Sequence, residues 1–135
     1  MQFLDTNILL YAISADPGET AKQQRANIVI DGGAVALSVQ VLQEFYVQAT
    51  RPTRAGHIPH ALAVEYIDIW SRFPVQDMTL PLLTAALDIK VRHGFSYWDC
   101  AIIAAARALG CAELLTEDLQ HDRIVEGVHI INPFL

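Results

Sequence analysis

Short apolar segments alternate with longer segments of helical periodicity along the whole chain, and this alternation restricts the fold more than any other feature. Strands are predicted at residues 3–4, 34–37, 113–116 and 128–131, and the proline-containing segment 73–75 is a short strand at best. Strands separated by helices indicate a parallel sheet with helices on both faces. We therefore expect an α/β fold with three layers, α/β/α, around a central, mainly parallel sheet of four to five short strands.

Six helices are predicted between these strands from apolar periodicity and from signals at the helix ends. They cover residues 8–12, residues 19–30, the segment from Ser38 to near Arg51, the segment from Pro59 to about Trp70, the segment from Thr79 to about His93, and residues 97–109. Ser38, Thr79 and Ser96 are suitable N-cap residues for three of these helices. The sequence contains no linker and no internal repeat.

The length and apolar content of the chain indicate one compact unit. A chain of 135 residues is expected to form a single domain, residues 1–135, and a hydrophobic content of 53% supplies enough material for its core. The longest uninterrupted apolar run, residues 100–106, is far shorter than the roughly 20 residues of a membrane span. No basic segment precedes the first apolar run, so we predict no signal peptide, no membrane partner and a cytoplasmic location.

The net charge limits how the chain can bind its partners. With 15 acidic and 9 basic residues the charge is −6, which argues against a broad basic surface for nucleic acid. The same charge leaves open an enzyme whose clustered acids hold a cation, because the metal and not the protein then neutralises a phosphate substrate.

Four carboxylates have positions that an α/β domain does not require for its fold. Asp5 ends the first strand and Asp118 follows the strand at residues 113–116. Because sites in such sheets lie outside the carboxyl ends of the strands, these two acids are expected at one edge. Glu44 lies within the apolar stripe of the third helix, and Asp99 lies in the first turn of the last helix, which can point toward that edge.

Each acid also has an ordinary structural explanation. Asp5 or Thr6 can serve only as the N-cap of the first helix. Asp99 can belong to a capping box, Asp118 can begin a turn, and Glu44 can point to solvent. Together, however, four converging carboxylates would repel one another and raise their pKa values. A hard cation such as Mg²⁺ prefers oxygen ligands and removes that repulsion, and one or two such ions can promote phosphodiester hydrolysis.

The four acidic motifs, taken in order, resemble those of the PIN domain. They are Asp5-Thr6-Asn7, Glu44 on a helix, Ser96-Tyr97-Trp98-Asp99 and Leu115-Thr116-Glu117-Asp118. Within that superfamily the chain resembles the VapC toxins of bacterial type II toxin–antitoxin systems, and the likeness extends over nearly the whole chain. The ending at residues 128–134 is similar to that of one VapC-like subgroup.

The resemblance implies a Mg²⁺- or Mn²⁺-dependent ribonuclease. The residues that match the family pattern are Asp5, Glu44, Asp99 and Asp118 around the metal, with Thr6, Asn7 and Thr116 in support. Asp5 and Asp99 are expected as direct ligands, and Glu44 and Asp118 as ligands or as groups that hold water. The family also implies an RNA substrate, a homodimer and a small antitoxin protein as partner.

Several other residues have two explanations each. Arg51, Arg54, His57 and His60 gather near the end of the third helix, where they can contact RNA phosphates or form a solvated loop. The aromatic residues Tyr66, Trp70, Tyr97 and Trp98 are interpreted as core or interface anchors, although Tyr97 and Trp98 adjoin Asp99 and can border the site. Glu117 and Asp122 are expected to face solvent, and Cys100 and Cys111 to be reduced, buried thiols.

Three other functions are compatible with an acid after the first strand. A haloacid-dehalogenase-type phosphatase needs a second carboxylate two residues later, where this chain has Asn7. A phospho-acceptor receiver domain needs paired N-terminal acids and a late lysine, and the last lysine here is Lys90, inside a helix pattern. A PIN-like binding module without activity is the third alternative, and the presence of all four motif acids argues against it.

Overall fold

The structure, a computed structural model, describes residues 1–135. Six strands are present: β1 (Gln2–Leu4), β2 (Val35–Ser38), β3 (Val75–Gln76), β4 (Glu113–Leu115), β5 (Ile124–Val125) and β6 (Val128–Ile131). Six helices accompany them: α1 (Thr6–Ala12), α2 (Thr20–Asp31), α3 (Val39–Ala49), α4 (His60–Trp70), α5 (Leu80–His93) and α6 (Tyr97–Ala108). A single 3₁₀ turn at Pro17–Glu19 precedes α2.

The strands form one sheet in the order β3-β2-β1-β4-β6-β5, and all neighbouring pairs are parallel except β5 and β6. The chain moves outward from β1 to β2 and β3, then returns past β1 to β4. Because crossovers between parallel strands are right-handed, α1–α4 and α5–α6 lie on opposite faces of the sheet. The predicted α/β/α architecture is confirmed, and the order of the strands reverses between β1 and β4.

The sheet has six strands, so the prediction of four to five strands was too low. The strand that the sequence did not indicate is β5, which has two residues and joins β6 through a two-residue turn. Both turn residues, Glu126 and Gly127, have positive φ angles of 53° and 79°. Such φ values are typical of a type I′ hairpin turn. A strand of two residues is too short to produce a detectable alternation.

The core is one cluster of 32 buried apolar residues. Helix α6 contributes most, because every residue from Cys100 to Ala106 is buried. Trp70 of α4 is buried against Phe45 of α3, with ring centroids 4.8 Å apart, so its predicted role in the core is confirmed. Both cysteine thiols are buried and free, as expected. No helix combines the length and the apolar composition that are needed to cross a membrane.

The helices that carry the site begin at well-defined caps. Ser38 accepts a hydrogen bond from the backbone N–H of Val41, 3.2 Å away, and Ser96 accepts one from the N–H of Asp99, also at 3.2 Å. These two contacts match the caps expected from the sequence. Helix α1 starts at Thr6, and Asp5 is its N-cap, which is one of the two caps expected from the sequence.

Candidate functional site

The four motif acids line one cavity of about 240 Å³ at the C-terminal edge of the sheet. Asp5 follows β1 and Asp118 follows β4, and these strands are parallel neighbours, so their ends lie side by side. Glu44 enters the cavity from the second turn of α3, and Asp99 from the first turn of α6. The cavity therefore lies at the switch point of strand order, where ligands of open α/β sheets bind.

Asp5 is the most enclosed of the four acids, with 6% of its surface exposed. Its Oδ1 accepts a hydrogen bond from the backbone N–H of Thr6 at 2.7 Å, and its Oδ2 accepts one from the hydroxyl of Thr116 at 2.8 Å. Burial raises the pKa of Asp5 to about 6; the two hydrogen bonds oppose this effect, and the negative charges of Asp118 and Glu44 add to it. Asp5 is thus both a helix cap and a site carboxylate.

Glu44 is half-buried, not solvated, and neutral groups hold both of its oxygens. The Thr6 hydroxyl donates to Oε2 at 2.6 Å, and the Gln40 side-chain amide donates to Oε1 at 2.9 Å. Gln40 is buried and was not identified from the sequence. The only signal was its position four residues before Glu44, which places the two side chains on one face of α3.

Of the remaining two acids, Asp118 is exposed to solvent. The Asn7 side-chain amide donates to Oδ2 of Asp118 at 3.1 Å, and the Thr116 hydroxyl accepts the backbone N–H of Asp118 at 3.1 Å. Asp99 is half-buried. Burial raises the pKa of Asp99, and the negative charges of Asp118 and Glu44 raise it further, so these carboxylates lie close enough to influence one another.

The structure thus brings together all seven residues that the family resemblance selected. Six of them line the cavity, namely Asp5, Thr6, Asn7, Glu44, Asp99 and Asp118. The seventh, Thr116, is fully buried behind it and donates its hydroxyl hydrogen to Asp5. The three hydroxyl and amide side chains fix carboxylate oxygens, and none of them supplies a positive charge.

The chemistry of this donor set suits a hard divalent cation. Oxygen atoms dominate the polar lining of the cavity, and no lysine, arginine or histidine lines it. The raised pKa of Asp5 follows from burying carboxylate charge without a counter-charge. No three Asp, Glu, His or Cys side chains are arranged to hold one ion together. This arrangement is compatible with Mg²⁺, which usually keeps several waters and binds through one or two carboxylates.

The basic residues near the end of α3 do not form one group. Arg51 lines a groove that also contains Glu44 and Trp98, whereas Arg54 lines a separate cavity beside α1. His60 hydrogen-bonds the hydroxyl of Tyr46, and His57 contacts a backbone carbonyl. Only Arg51 therefore shares a cavity with a motif acid.

One prediction about a neighbouring residue was wrong, and another is confirmed in part. Trp98 borders the acid cavity, as expected for a residue next to Asp99, but 60% of its surface is exposed, so it is not part of the core. Glu117 does not simply face solvent, since it accepts a hydrogen bond from Tyr11 and forms an ion pair with Lys22 at 3.0 Å. Asp122 is exposed as expected, and it contacts His129.

The fold and the cavity define an α/β protein with an acidic site at the switch point of a parallel sheet. The sequence model of the PIN domain matches residues 3–127 of this chain. The chain therefore belongs to the PIN domain family, as the resemblance of its motifs predicted. This membership excludes the phosphatase and receiver-domain alternatives. A search of curated protein sequences gives no match.

Solved structures with the same fold include a toxin–antitoxin complex and a toxin. A toxin–antitoxin complex from Klebsiella pneumoniae is 17% identical, with 98% of each chain covered and a TM-score of 0.73. FitAcB from Neisseria gonorrhoeae is 19% identical, with 99% of each chain covered and a TM-score of 0.70. VapC20 of Mycobacterium tuberculosis, a sarcin–ricin loop cleaving toxin, is 22% identical, with 84% of this chain and 87% of that chain covered and a TM-score of 0.66. The predicted likeness is confirmed for the family and the fold.

Proposed function

We propose that this protein is a metal-dependent endoribonuclease that hydrolyses RNA phosphodiester bonds. The observation that carries the proposal is the convergence of four carboxylates, from four separate elements, in one cavity without a basic residue. Bound Mg²⁺ or Mn²⁺ would activate a water molecule and stabilise the leaving oxygen. It would also supply the positive charge that a phosphate substrate needs and that the cavity lacks.

In this proposal Asp5 and Asp99 ligate the metal directly. Asp5 is suited to this role because two hydrogen bonds fix its carboxylate before any ion binds. Glu44 and Asp118 ligate the metal or orient water. The hydroxyl of Thr6 orients Glu44, and the amide of Asn7 orients Asp118.

We further propose that the protein is the toxin of a toxin–antitoxin pair and that a small antitoxin protein holds it inactive. Membership of the PIN family supports this proposal, as does the match to two structures whose names describe a toxin–antitoxin complex and a toxin. Two further structures of the same fold are a FitAB complex bound to DNA and a VapBC complex from Salmonella typhimurium bound to DNA.

We also propose a homodimer, and α5 supplies the surface for it. Leu80, Leu83, Leu87 and Val91 are exposed and recur at intervals of three and four residues, so they form one apolar stripe on that helix. Contiguous exposed apolar surface of this kind marks an interaction site more often than an isolated exposed leucine does. A second copy of the chain is the occupant that the family resemblance implies.

The activity is tested by incubating purified protein, free of antitoxin, with total RNA in Mg²⁺ or Mn²⁺ and then in EDTA. We expect discrete fragments that require the metal. The Asp99→Asn and Asp118→Asn variants should be folded but unable to cleave, because the amide removes a negative charge from the metal site. Asp68→Asn, a change to an exposed acid of α4 outside the cavity, is the matched control and should cleave normally.

Two results would contradict the proposal. Cleavage that persists in EDTA would exclude the metal-dependent mechanism. Full activity of Asp99→Asn together with Asp118→Asn would show that this cavity is not the active site.

A further inference from the structure

Trp98 lies beside the acid cavity and is not part of the core, which is unusual for a tryptophan. Tryptophan is mostly buried in folded proteins, yet 60% of the Trp98 surface is exposed. It directly precedes Asp99 and lines the acid cavity. The indole therefore presents a large aromatic surface within one residue of a proposed metal ligand.

A second cavity extends from the acids along α3. It has a volume of about 480 Å³ and shares Glu44, Gln48 and Trp98 with the acid cavity. We call it the α3 groove; its other lining residues are Gln40, Gln43, Val47 and Arg51. Arg51 is the only positively charged residue that lines either cavity.

The position of Trp98 is held by contacts from two sides. The side-chain amide of Gln40 donates to the Trp98 backbone carbonyl at 3.2 Å, as well as to Glu44. Both partners are acceptors, so the amide nitrogen of the buried Gln40 must face them. The ring of Tyr97 packs edge-on against the indole, with centroids 5.1 Å apart. Gln40 thus ties α3 to the first turn of α6 and sets the indole beside the acids.

We propose that the α3 groove binds a nucleotide of single-stranded RNA next to the cleaved bond, with its base stacked on Trp98 and a phosphate held by Arg51. This inference rests on the proposed ribonuclease function. Aromatic stacking with an adjacent cation is how proteins bind single-stranded nucleic acid. Arg51 lies two residues beyond the C-terminal end of α3 and lines the same groove as Glu44 and Trp98, so a strand that reaches the acids through this groove passes both groups.

The lining of the groove favours a nucleotide over a protein segment. Five of its seven lining residues are polar or charged, and only Val47 and Trp98 are apolar. A groove that takes the apolar face of a partner helix is lined mainly by hydrophobic side chains. The side-chain amides of Gln43 and Gln48 instead offer donors and acceptors for the edge of a base.

The test measures RNA binding without cleavage, in Mg²⁺, in an Asp118→Asn background, with oligouridylate and oligoadenylate as probes. The only other tryptophan, Trp70, is buried in the core, so quenching of fluorescence by RNA reports on Trp98. We expect quenching, and we expect Trp98→Ala to weaken binding by about 5- to 150-fold, the range for loss of one stacked base. Trp98→Phe should retain part of the affinity, because a phenyl ring still stacks.

Arg51 is tested in the same assay against a matched arginine. Arg51→Ala should weaken binding and reduce its salt dependence, since one phosphate contact is lost. Arg72→Ala removes the same charge from an exposed position outside the groove and should change neither. For Trp98→Ala, Ile28→Ala is the comparable change of an exposed apolar side chain on α2.

The outcomes separate this inference from the proposed function. In one outcome the wild-type protein cleaves RNA, Trp98→Ala cleaves it with the same kcat/KM, and RNA does not quench the fluorescence of Trp98. The proposed nucleotide subsite is then wrong, but the proposed ribonuclease activity is supported. A groove reserved for a partner protein would give this result. If no metal supports cleavage but RNA quenches Trp98, the activity is wrong and the RNA subsite is supported. If the protein neither cleaves RNA nor shows quenching of its fluorescence by RNA, both the ribonuclease proposal and the nucleotide subsite are wrong.

Discussion

At the scale of single residues, the site depends on buried charge that the protein itself does not neutralise. Asp5 has its carboxylate enclosed by the backbone of Thr6 and the hydroxyl of Thr116, with two further acids nearby. Hydrogen bonds from neutral donors reduce the cost of this burial but do not remove it, as its raised pKa shows. The charged form of Asp5 therefore lowers the stability of the metal-free protein, although the same residue caps α1.

This cost predicts a specific pH dependence. The pKa of Asp5 is about 6 in the folded protein and near 3.8 otherwise, so the folded state holds the proton more tightly. Stability of the metal-free protein should then fall as pH rises from about 4 to about 7. Asp5→Asn lacks this ionisation, so its free energy of unfolding relative to wild type should rise over that range by up to about 3 kcal/mol.

Urea denaturation in EDTA at several pH values measures this difference. Asp68→Asn, a change to an exposed acid of α4 outside the cavity, is the control for the loss of one carboxylate. If the free energies of unfolding of Asp5→Asn and wild type change with pH in the same way, the prediction is wrong. Adding Mg²⁺ near pH 7 should stabilise wild type more than Asp5→Asn, since the ion binds the charged carboxylate.

At the scale of elements, the caps show what the sequence can and cannot predict. Ser38, Thr79 and Ser96 were identified as N-caps, and each accepts a backbone N–H three residues on. Such caps are local, so a single sequence reveals them. Gln40 was missed because its role depends on Trp98, which lies 58 residues later in the chain. The exposure of Trp98 was missed for the same reason, since only the packing of α6 decides which side of that helix is covered.

Replacing the cap residues of α3 and α5 by alanine should lower the free energy of unfolding by different amounts. Ser38 is fully buried, whereas Thr79 is exposed, although both accept one N–H at 3.2 Å. Ser38→Ala leaves the N–H of Val41 unsatisfied in the interior and should cost about 1–2 kcal/mol. Thr79→Ala allows water to replace the hydroxyl and should cost about 0.5–1 kcal/mol. Urea unfolding of the two variants checks the order, and a larger loss for Thr79→Ala would contradict it.

At the scale of the whole molecule, the alternation of strands and helices was enough to predict the architecture. It did not predict the edge strand β5, and it predicted the other edge strand, β3, only as a short strand at best. Both have two residues and gain their structure from pairing with longer neighbours. The four acids were predicted to meet because strand ends in a parallel sheet share one edge. Their separate hydrogen-bond partners depend on contacts between distant parts of the chain, which no local pattern encodes.

The apolar stripe of α5 gives a prediction for the assembly. We expect the wild-type protein to be a dimer in light scattering, and Leu87→Glu to be a monomer, because it places a charge within the stripe. The Leu87→Glu monomer should keep its fold and still unfold in one cooperative transition, because Leu87 is exposed in the single chain. Ile28→Glu alters another exposed apolar side chain, on α2, and should remain dimeric. A dimeric Leu87→Glu protein would rule out the α5 surface.

The pairing of β1 with β4 has a consequence for the synthesis of the protein. The first strand is synthesised well before β4, which is one of its two neighbours in the sheet. The hydrogen bond from Thr116 to Asp5 joins residues 111 positions apart. A nascent chain therefore lacks one of the two sheet neighbours of β1, and the carboxylate of Asp118, until β4 and the segment after it have been synthesised. The site cannot form while only the N-terminal part of this sequence has left the ribosome.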